Sequence, residues 1–573
     1  MTEKVSKLIR LPVAAVAGGT AYRVPRHPAP VDLRLEGNEG ASPPADLFGP
    51  LEATLARDYP SAAALEAALA QVYGLDPAQV LVTAGADDSL DRLCRAYLGP
   101  GRAACLPTPT FEMLVRYAAL TGARLDQPAW PTAAWPVEAV LAALRPDTAL
   151  VAVVSPNNPT GGVATAEDLR RVAAAAPQAV LLVDHAYIEY ADVDLTTAAL
   201  ALPNAVVVRT FSKAWGLAGL RVGYTLGPEA LITPLRRVGN PYAVSGPSVA
   251  VATARLATGR AEMEAHTARV RAHRQVLTDA LADLGLPPSP SQGNFVLVRT
   301  PRSGWVRDAL AGLGIGIRAW PGDPNLSDCL RISVPESPAD LARLCAGLRA
   351  TVAPEALLFD MDGVLADVSQ SYRTAIRATV AAFGVGVDDA AIAEVKAAGN
   401  ANNDWIVAQR VLAARGRAVP LAEVTAQFEA LYQGDAERPG LWTREHLLLA
   451  PEVLAGLAQR LPLAIVTGRP RHDADRFLQT FGIAHFFSTM TCMEDAPAKP
   501  DPAPVRLALA ALGVTSAWLI GDTPDDVRAA RAAGVVPIAV RAPGDPASVD
   551  GRLLAAGAAC VLAAPAEVAK LLG

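Results

Sequence analysis

Two nucleophiles of different chemistry stand in separate motifs. Lys213 lies in Arg209-Thr-Phe-Ser-Lys-Ala-Trp-Gly-Leu-Ala-Gly-Leu-Arg-Val-Gly-Tyr224, and Asp360 in Leu357-Leu-Phe-Asp-Met-Asp-Gly-Val-Leu-Ala-Asp367. An amine suits Schiff-base chemistry on a carbonyl, and a carboxylate suits phosphoryl transfer. A free lysine is protonated near neutral pH and attacks poorly. Lys213 therefore becomes useful where its nitrogen is stored as a Schiff base of a carbonyl cofactor. A pyridine ring in that cofactor needs a carboxylate at its nitrogen to act as an electron sink. Asp184, ending Leu181-Leu-Val-Asp-His-Ala-Tyr187, fits that need, and Tyr187 and Asn158 can reach a ring hydroxyl. A cofactor phosphate calls for a helix N-terminus, a hydroxyl and an arginine. Gly85-Ala-Asp-Asp-Ser89 offers the amides of Ala86 and Asp87, Ser212 and Arg221 offer the rest, and Phe111 is placed to stack on the ring.

Asp360 and Asp362 are two apart after an apolar run. One can attack phosphorus while the other protonates the leaving oxygen and later activates water. A hard divalent cation such as Mg²⁺ would screen the repulsion between carboxylate and phosphate. Asp522 in Leu519-Ile-Gly-Asp-Thr-Pro-Asp-Asp526 is the third acidic group, with Asp526 in support. Thr467 in Ile465-Val-Thr-Gly-Arg469 offers a hydroxyl to phosphoryl oxygens, and Lys499 in Ala498-Lys-Pro-Asp-Pro502 a positive charge.

Such groups need strand ends to hold them. Strands are expected at Val80–Thr83, Ala149–Val154, Ala179–Val183, Ala205–Val208, Ala356–Phe359, Leu463–Val466 and Ala517–Ile520. Each is followed by a turn-rich loop and a helical pattern, the α/β alternation of parallel sheets. The motifs fall just after these strands, where open α/β sheets place ligands. A boundary is expected at Ala350–Pro354, after an amphipathic helix Pro338–Leu348 with Ser337 as its N-cap. The domains are then 1–350, with a small subdomain at about 245–350 plus the N-terminal segment, marked by the loop Pro287–Asn294 that follows the long helical stretch Ser248–Leu284, and 355–573, with a helical cap at about 369–450. Gly312-x-Gly-x-Gly316 reads as a turn into a strand. Asn402-Asn-Asp404 has two readings, a helix cap or a surface facing substrate.

At 573 residues the chain requires about two to four domains. A net charge of −6 gives no support for a nucleic-acid or anionic-membrane partner. The six cysteines are scattered with no C-x-x-C pair, which fits a reduced cytoplasmic protein without a disulfide framework or zinc site. Leu11–Ala17 is too short for the apolar core of a signal peptide, and no run approaches a membrane span. Taken singly, each motif has an ordinary reading: a surface Ser-Lys pair, an Asn-Pro-Thr-Gly turn, an Asp capping a helix. Their ordered co-occurrence argues for chemistry.

Residues 25–350 resemble the fold-type-I aminotransferases that use pyridoxal 5′-phosphate, with particular likeness to histidinol-phosphate aminotransferases. The likeness rests on Asn38-Glu39, Asp58-Tyr-Pro60, Asn157-Asn-Pro-Thr-Gly161, Asp184-x-Ala-Tyr187 and Ser212-Lys-Ala-x-Gly-Leu-Ala-Gly-Leu-Arg221. It implies a large, mostly parallel sheet domain with a small α/β subdomain. It makes Lys213 both Schiff-base former and proton shuttle. It also implies a homodimer in which Tyr59 reaches the neighbouring subunit's cofactor phosphate. Arg331 takes the substrate-anion position, and Arg318 and Asn294 belong to the same pocket. His185, Ala243 and the segment Leu35–Gly40 depart from the family pattern, which leaves the amino donor and acceptor open.

Residues 355–573 resemble haloacid-dehalogenase-superfamily phosphatases of the phosphoglycolate-phosphatase-like branch, a Rossmann-like core with a helical cap. That resemblance assigns Asp360 as nucleophile, Asp362 as acid/base, Thr467 and Lys499 to phosphate, and Asp360, Asp362 and Asp522 to Mg²⁺. A compound both aminated and phosphorylated would join the two halves, and histidinol phosphate is the natural candidate. The alternatives are an aminotransferase of aromatic or broad specificity, or a phospho-amino-acid decarboxylase, fused to a phosphatase with an unrelated small ester. A cofactor-sensing regulator would need a DNA-binding segment, for which no room is expected before Pro30 or near Pro354.

Overall fold

A computed structural model describes residues 16, 21, 27–49, 52–388, 391–392, 394–395 and 403–572. The expectations for residues 1–15 and for Asn402 lie outside the described residues.

Cα proximity divides the chain into two compact units: 1–24, 35–300 and 318–341 in the first, 25–34, 301–317 and 342–573 in the second. The seam expected at 350–354 therefore falls inside the second unit. The α/β class, with mixed and parallel sheets, is as the sequence implied.

The first unit is built on a seven-stranded sheet. Its spatial order is Val80–Thr83, Gly223–Leu226, Ala205–Thr210, Val180–Asp184, Thr148–Val154, Ala103–Cys105 and Arg124–Asp126. Only Gly223–Leu226 runs against its neighbours. The strands Val80–Thr83, Val180–Asp184 and Ala205–Thr210 are buried at every residue. That explains why they read as unbroken apolar runs rather than as alternating patterns. The long helical stretch resolves into Gly246–Thr258 and Arg260–Asp283, broken at Gly259. A Cβ at Gly259 would lie 2.6 Å from Arg255 Cδ, so the break is where a buried arginine crosses the backbone. Beyond it, Phe295–Arg299 pairs antiparallel with Cys329–Ser333, and Arg318 lies opposite Arg331.

The second unit holds a six-stranded, all-parallel sheet in the order Phe487–Thr491, Leu463–Val466, Ala356–Phe359, Ala517–Gly521, Val536–Val540 and Cys560–Leu562. The three central strands end at Asp360, Thr467 and Asp522. The cap contributes Tyr372–Ala382, Asp404–Ala414 and Leu421–Gln433. Asn403 caps the second of these, its side chain accepting from Trp405 N and Ile406 N, so the capping reading holds there. The helix Pro338–Val352 runs four residues past the expected end. Its end joins this unit's core: the fully buried Trp518 donates Nε1 to Ala350 O at 2.7 Å and meets Trp305 edge-on at 4.8 Å.

Candidate active sites

In the first unit, adjacent parallel strands end at Asp184 and Val154, and Thr210 ends the next, so the loops after them converge. Asp184 is buried, and among the described residues its carboxylate accepts one hydrogen bond, from Ala186 N at 3.0 Å. Burial pushes this carboxyl up to about 7, against the pull of the Ala186 bond. It is thus a buried acid with no cation beside it, which is what a protonated pyridine nitrogen would supply. Lys213 Nζ donates to Gly37 O at 2.9 Å and sits 5.5 Å from the centre of the Tyr187 ring. Tyr187 OH accepts from Asn38 Nδ2 at 3.2 Å. Asn158 Oδ1 accepts from Arg331 Nη1 at 2.6 Å. Next to Asp184, His185 is fully buried with Nδ1 3.1 Å from Thr196 Oγ1. Burial and Arg209 pull it down to about 3, so it stands neutral where the resembled family carries an acid.

The residues expected to hold a phosphate gather at the N-terminus of the helix Gly85–Tyr97, which carries Ala86 and Asp87 in its first turn. Gly85 has φ +77°, and a Cβ there would stand 2.7 Å from Arg221 Nη2. Arg221, itself at φ 54°, donates to Asp87 Oδ2 at 2.9 Å. Ser212 Oγ, buried, accepts from Thr210 Oγ1 at 2.9 Å. Gly223 passes so close that its Cβ would be 2.6 Å from Ala86 N. This is a cradle of backbone N–H groups, a hydroxyl and a guanidinium from which side-chain bulk is excluded. Together with Asp184 and Lys213 it fits pyridoxal 5′-phosphate. Phe111 is half-buried at the N-cap of Glu112–Leu120. Tyr59 is 82% exposed and stacks on Tyr242 at 4.6 Å.

Arg331 and Arg318 face each other on paired strands. Arg331 lies 5.5 Å from the Phe295 ring and 5.9 Å from Trp320, and Arg318 5.3 Å from Trp320. The nearest carboxylate to Arg318 is Glu112, at 4.0 Å. Like charges directly opposite on neighbouring strands are unfavourable, and an anion between them would relieve the repulsion. Asn294, buried, donates Nδ2 to Asn38 O at 3.1 Å. Asn38, part of the Asn38-Glu39 signature, takes a role that its motif does not reveal. It is buried at φ 54° and also binds Ser333. The signal was its type, since Asn tolerates the left-handed region better than most residues.

In the second unit Asp360 accepts from Lys499 Nζ at 2.9 Å, and Lys499 also donates to Val466 O at 3.0 Å and pairs with Asp526. Carboxylate oxygens of Asp360, Asp522 and Asp526 all lie within 4.8 Å of one another. The expected set changes by one member. Asp362 turns its carboxylate to Arg469 Nε at 2.6 Å, and Asp526, expected only in support, joins the cluster. Asp526 also caps the helix Pro524–Ala532 with Thr523, which fixes its orientation. Asp360 and Asp526 share one ammonium. Burial drives Asp360 up to about 7 although Lys499 opposes it, with Asp526 and Asp362 adding to the rise. Burial disfavours the Lys499 cation too, yet Asp360 and Asp526 hold it above the ordinary lysine range. The excess acid and the all-oxygen donor set fit a hard divalent cation. Gly363 is pinned here, since a Cβ would stand 2.3 Å from Asp522 Oδ2. Thr467 Oγ1 accepts from Arg469 N at 3.1 Å, which leaves its own proton for a phosphoryl oxygen. The role of Arg469 is not legible from its motif.

Residues 52–348 match the family described as aminotransferase class I and II, and residues 354–534 that described as haloacid dehalogenase-like hydrolase. A histidinol-phosphate aminotransferase from Cereibacter sphaeroides is 39% identical over 322 residues, 53% of this chain and 86% of that protein. An imidazoleglycerol-phosphate dehydratase from Phytophthora nicotianae is 49% identical over 197 residues, 33% of this chain, which spans only 44% of that relative's length. The crystal structure of the histidinol-phosphate aminotransferase from Clostridium acetobutylicum shares the fold, with TM-score 0.51 and 16% identity over 55% of this chain and 98% of that one. Among the described residues no helix is long and apolar enough to cross a membrane. The chain belongs to the class I and II aminotransferases through residues 52–348 and continues as a haloacid dehalogenase-like hydrolase, an enzyme with two catalytic domains on one polypeptide.

Proposed function

We propose that the chain catalyses two consecutive reactions on one phosphorylated amine. Imidazole acetol phosphate is aminated from glutamate to histidinol phosphate, and the ester is then hydrolysed to histidinol. The observation that carries this reading is the arginine pair Arg318–Arg331 opposite each other beside Asn158 and Lys213's partner segment. It suits substrates that are anions throughout, and it stands in a chain whose relatives include histidinol-phosphate aminotransferases. Along the chain the domains are 1–350, with its small subdomain at about 245–350, and 355–573, with its cap at about 369–450, although residues 301–317 and 342–350 pack in the second compact unit.

Pyridoxal 5′-phosphate, when bound, supplies the electron sink for the first reaction. Asp184 would hold its ring nitrogen, and Tyr187 and Asn158 its ring hydroxyl. The amides of Ala86 and Asp87, with Ser212 and Arg221, would hold its phosphate, and Phe111 would cover the ring. Lys213 would anchor it covalently and, once released by the substrate, carry the proton between the substrate's α carbon and the cofactor. Arg331, Arg318 and Asn294 hold the substrate's anionic and polar groups. Tyr59, exposed on its own subunit, serves the site of a second copy, so the enzyme acts as a homodimer.

In the second reaction Asp360 attacks phosphorus and Asp362 protonates the ester oxygen. Thr467 and Lys499 hold the phosphoryl oxygens. Asp360, Asp522 and Asp526 would hold Mg²⁺, which supplies positive charge against the carboxylate–phosphate repulsion. Having both sites on one cytoplasmic chain raises the local concentration of the shared intermediate.

The test is phosphate release from imidazole acetol phosphate plus glutamate. Lys213→Ala should abolish release that depends on glutamate but spare release from added histidinol phosphate. Asp360→Asn should halt the sequence at histidinol phosphate. Protein that leaves histidinol phosphate intact while hydrolysing another ester well would sink the proposal.

A further inference from the structure

The cap is reached through two chain crossings, Ala366–Asp367 and His446–Leu447, which pair antiparallel. Ser371 lies just beyond the first crossing, and Glu445 just before the second. Glu445 Oε1 accepts from Ser371 Oγ at 2.9 Å and from Tyr432 OH at 3.0 Å. Its Oε2 accepts from Arg469 Nη1 at 3.0 Å. Arg469 donates Nε to Asp362 Oδ1 at 2.6 Å and brings Nη2 within 2.5 Å of the same oxygen. The side chains of Arg469 and Glu445 are 1% and 4% exposed, so water does not screen the pair. The rings of Tyr372 and Phe477 lie 5.0 and 5.4 Å from the guanidinium, and Tyr372 stacks on Tyr432 at 4.4 Å. Tyr372 and Tyr432 belong to different cap helices. A continuous buried network therefore runs from the hinge and two cap helices to Asp362.

A buried ion pair is weak evidence for stability, because desolvation offsets most of the attraction. What it gives instead is position. Arginine presents a rigid fork that a lysine cannot reproduce. Here both of its contacts to Asp362 fall on Oδ1, so Oδ2 is the oxygen left to carry a proton.

We propose that Arg469, locked by Glu445, is a positioning residue that presents Asp362 Oδ2 to the ester oxygen, so that proton delivery to the leaving group depends on the seating of the cap hinge. This rests on the phosphatase reading, in which Asp362 is the acid. As an Asp360 oxygen bonds to phosphorus, the bond from phosphorus to the ester oxygen breaks. The electron pair stays on that oxygen, and the proton moves onto it from Asp362 Oδ2. An alcohol leaves, with phosphate held on Asp360 and Asp362 ionised.

The experiment compares two substrates of the full-length enzyme. An alkyl phosphate needs a proton on its leaving oxygen, and 4-nitrophenyl phosphate departs without one. Values of kcat/KM isolate the step in which the alcohol leaves. Glu445→Gln and Arg469→Lys should each lower kcat/KM for the alkyl ester at least about tenfold more than for the nitrophenyl ester. Asp362→Ala should show the same selectivity, and adding Glu445→Gln to it should cost little more. Should Arg469→Lys lose cooperative melting, the near-isosteric Glu445→Gln decides alone. Equal losses on both esters, no loss, or full additivity with Asp362→Ala would overturn the proposal and leave the phosphatase reading standing. Wild-type enzyme that releases phosphate from neither ester would overturn both.

Discussion

Asp184 and Asp360 are buried carboxyls both raised to about 7, for different reasons. Asp184 lacks a cation, while Asp360 has one but shares it with Asp526. The two therefore respond differently to change. For Asp184 the rise from 3.8 to about 7 adds stability that is complete below pH 3.8 and lost as pH rises through 7. Cofactor-free wild-type protein should thus lose stability relative to Asp184→Asn between about pH 4 and about pH 7. Added pyridoxal 5′-phosphate should shrink that difference. Denaturant midpoints across this range check it, and a constant difference would count against the assignment. At the other site, Lys499→Met leaves Asp360 and Asp526 buried without their cation. The cost is expected at about 3–5 kcal/mol, read as a lower melting temperature. Mg²⁺ should recover more stability in this variant than in the wild type. Lys213, Asp184, Asp360 and Lys499 were legible because each sits in a motif whose neighbours dictate its setting. Arg469 was not, since its meaning comes from Glu445, 24 positions away in sequence.

At the level of elements, strand positions followed closely from composition. The expected Ala149–Val154 and Ala517–Ile520 appear as Thr148–Val154 and Ala517–Gly521. Fully buried parallel strands have few competing readings once turn residues bracket them. Helices were less determinate. Ser248–Leu284 carries helical pattern throughout, and only the packing of Arg255 across Gly259 shows why it breaks. The turn before Gly85–Tyr97 is the most constrained element of the first site. Gly85→Ala would force a side chain into φ +77° and against Arg221. The strain is about 1–2 kcal/mol, which should weaken cofactor binding roughly tenfold if it is released on the apo side. An absorbance titration measures it, and unchanged affinity would show that the cradle is not where the phosphate binds.

For the whole molecule, the compact units do not coincide with continuous stretches of chain. Residues 301–317 and the end of Pro338–Val352 belong with the hydrolase core, where Trp305 meets Trp518 at 4.8 Å and donates Nε1 to Thr351 O at 3.2 Å. Arg531 reaches back in the same unit to Ala311 O and Gly312 O at 3.3 and 3.2 Å. Trp305→Ala in the full chain should therefore destabilise the hydrolase unit by about 3–5 kcal/mol. Thermal inactivation of phosphate release, followed alongside Trp fluorescence, checks this. Inactivation at the wild-type temperature would show that the segment is dispensable to that core.

The two reactive groups, the order of their motifs and the α/β framework that carries them can be read from the chain alone. These are local properties: a strand, its turn and the next helix are written in about twenty consecutive residues. Which side chains converge is set by long-range packing, and the fold supplies it. It brought Asp526 into the acidic cluster, turned Asp362 to Arg469, set Arg318 opposite Arg331, and gave 301–317 to the second unit. Each of those outcomes depends on strand register and rotamer choice imposed by residues far apart in the chain, which no local spacing encodes.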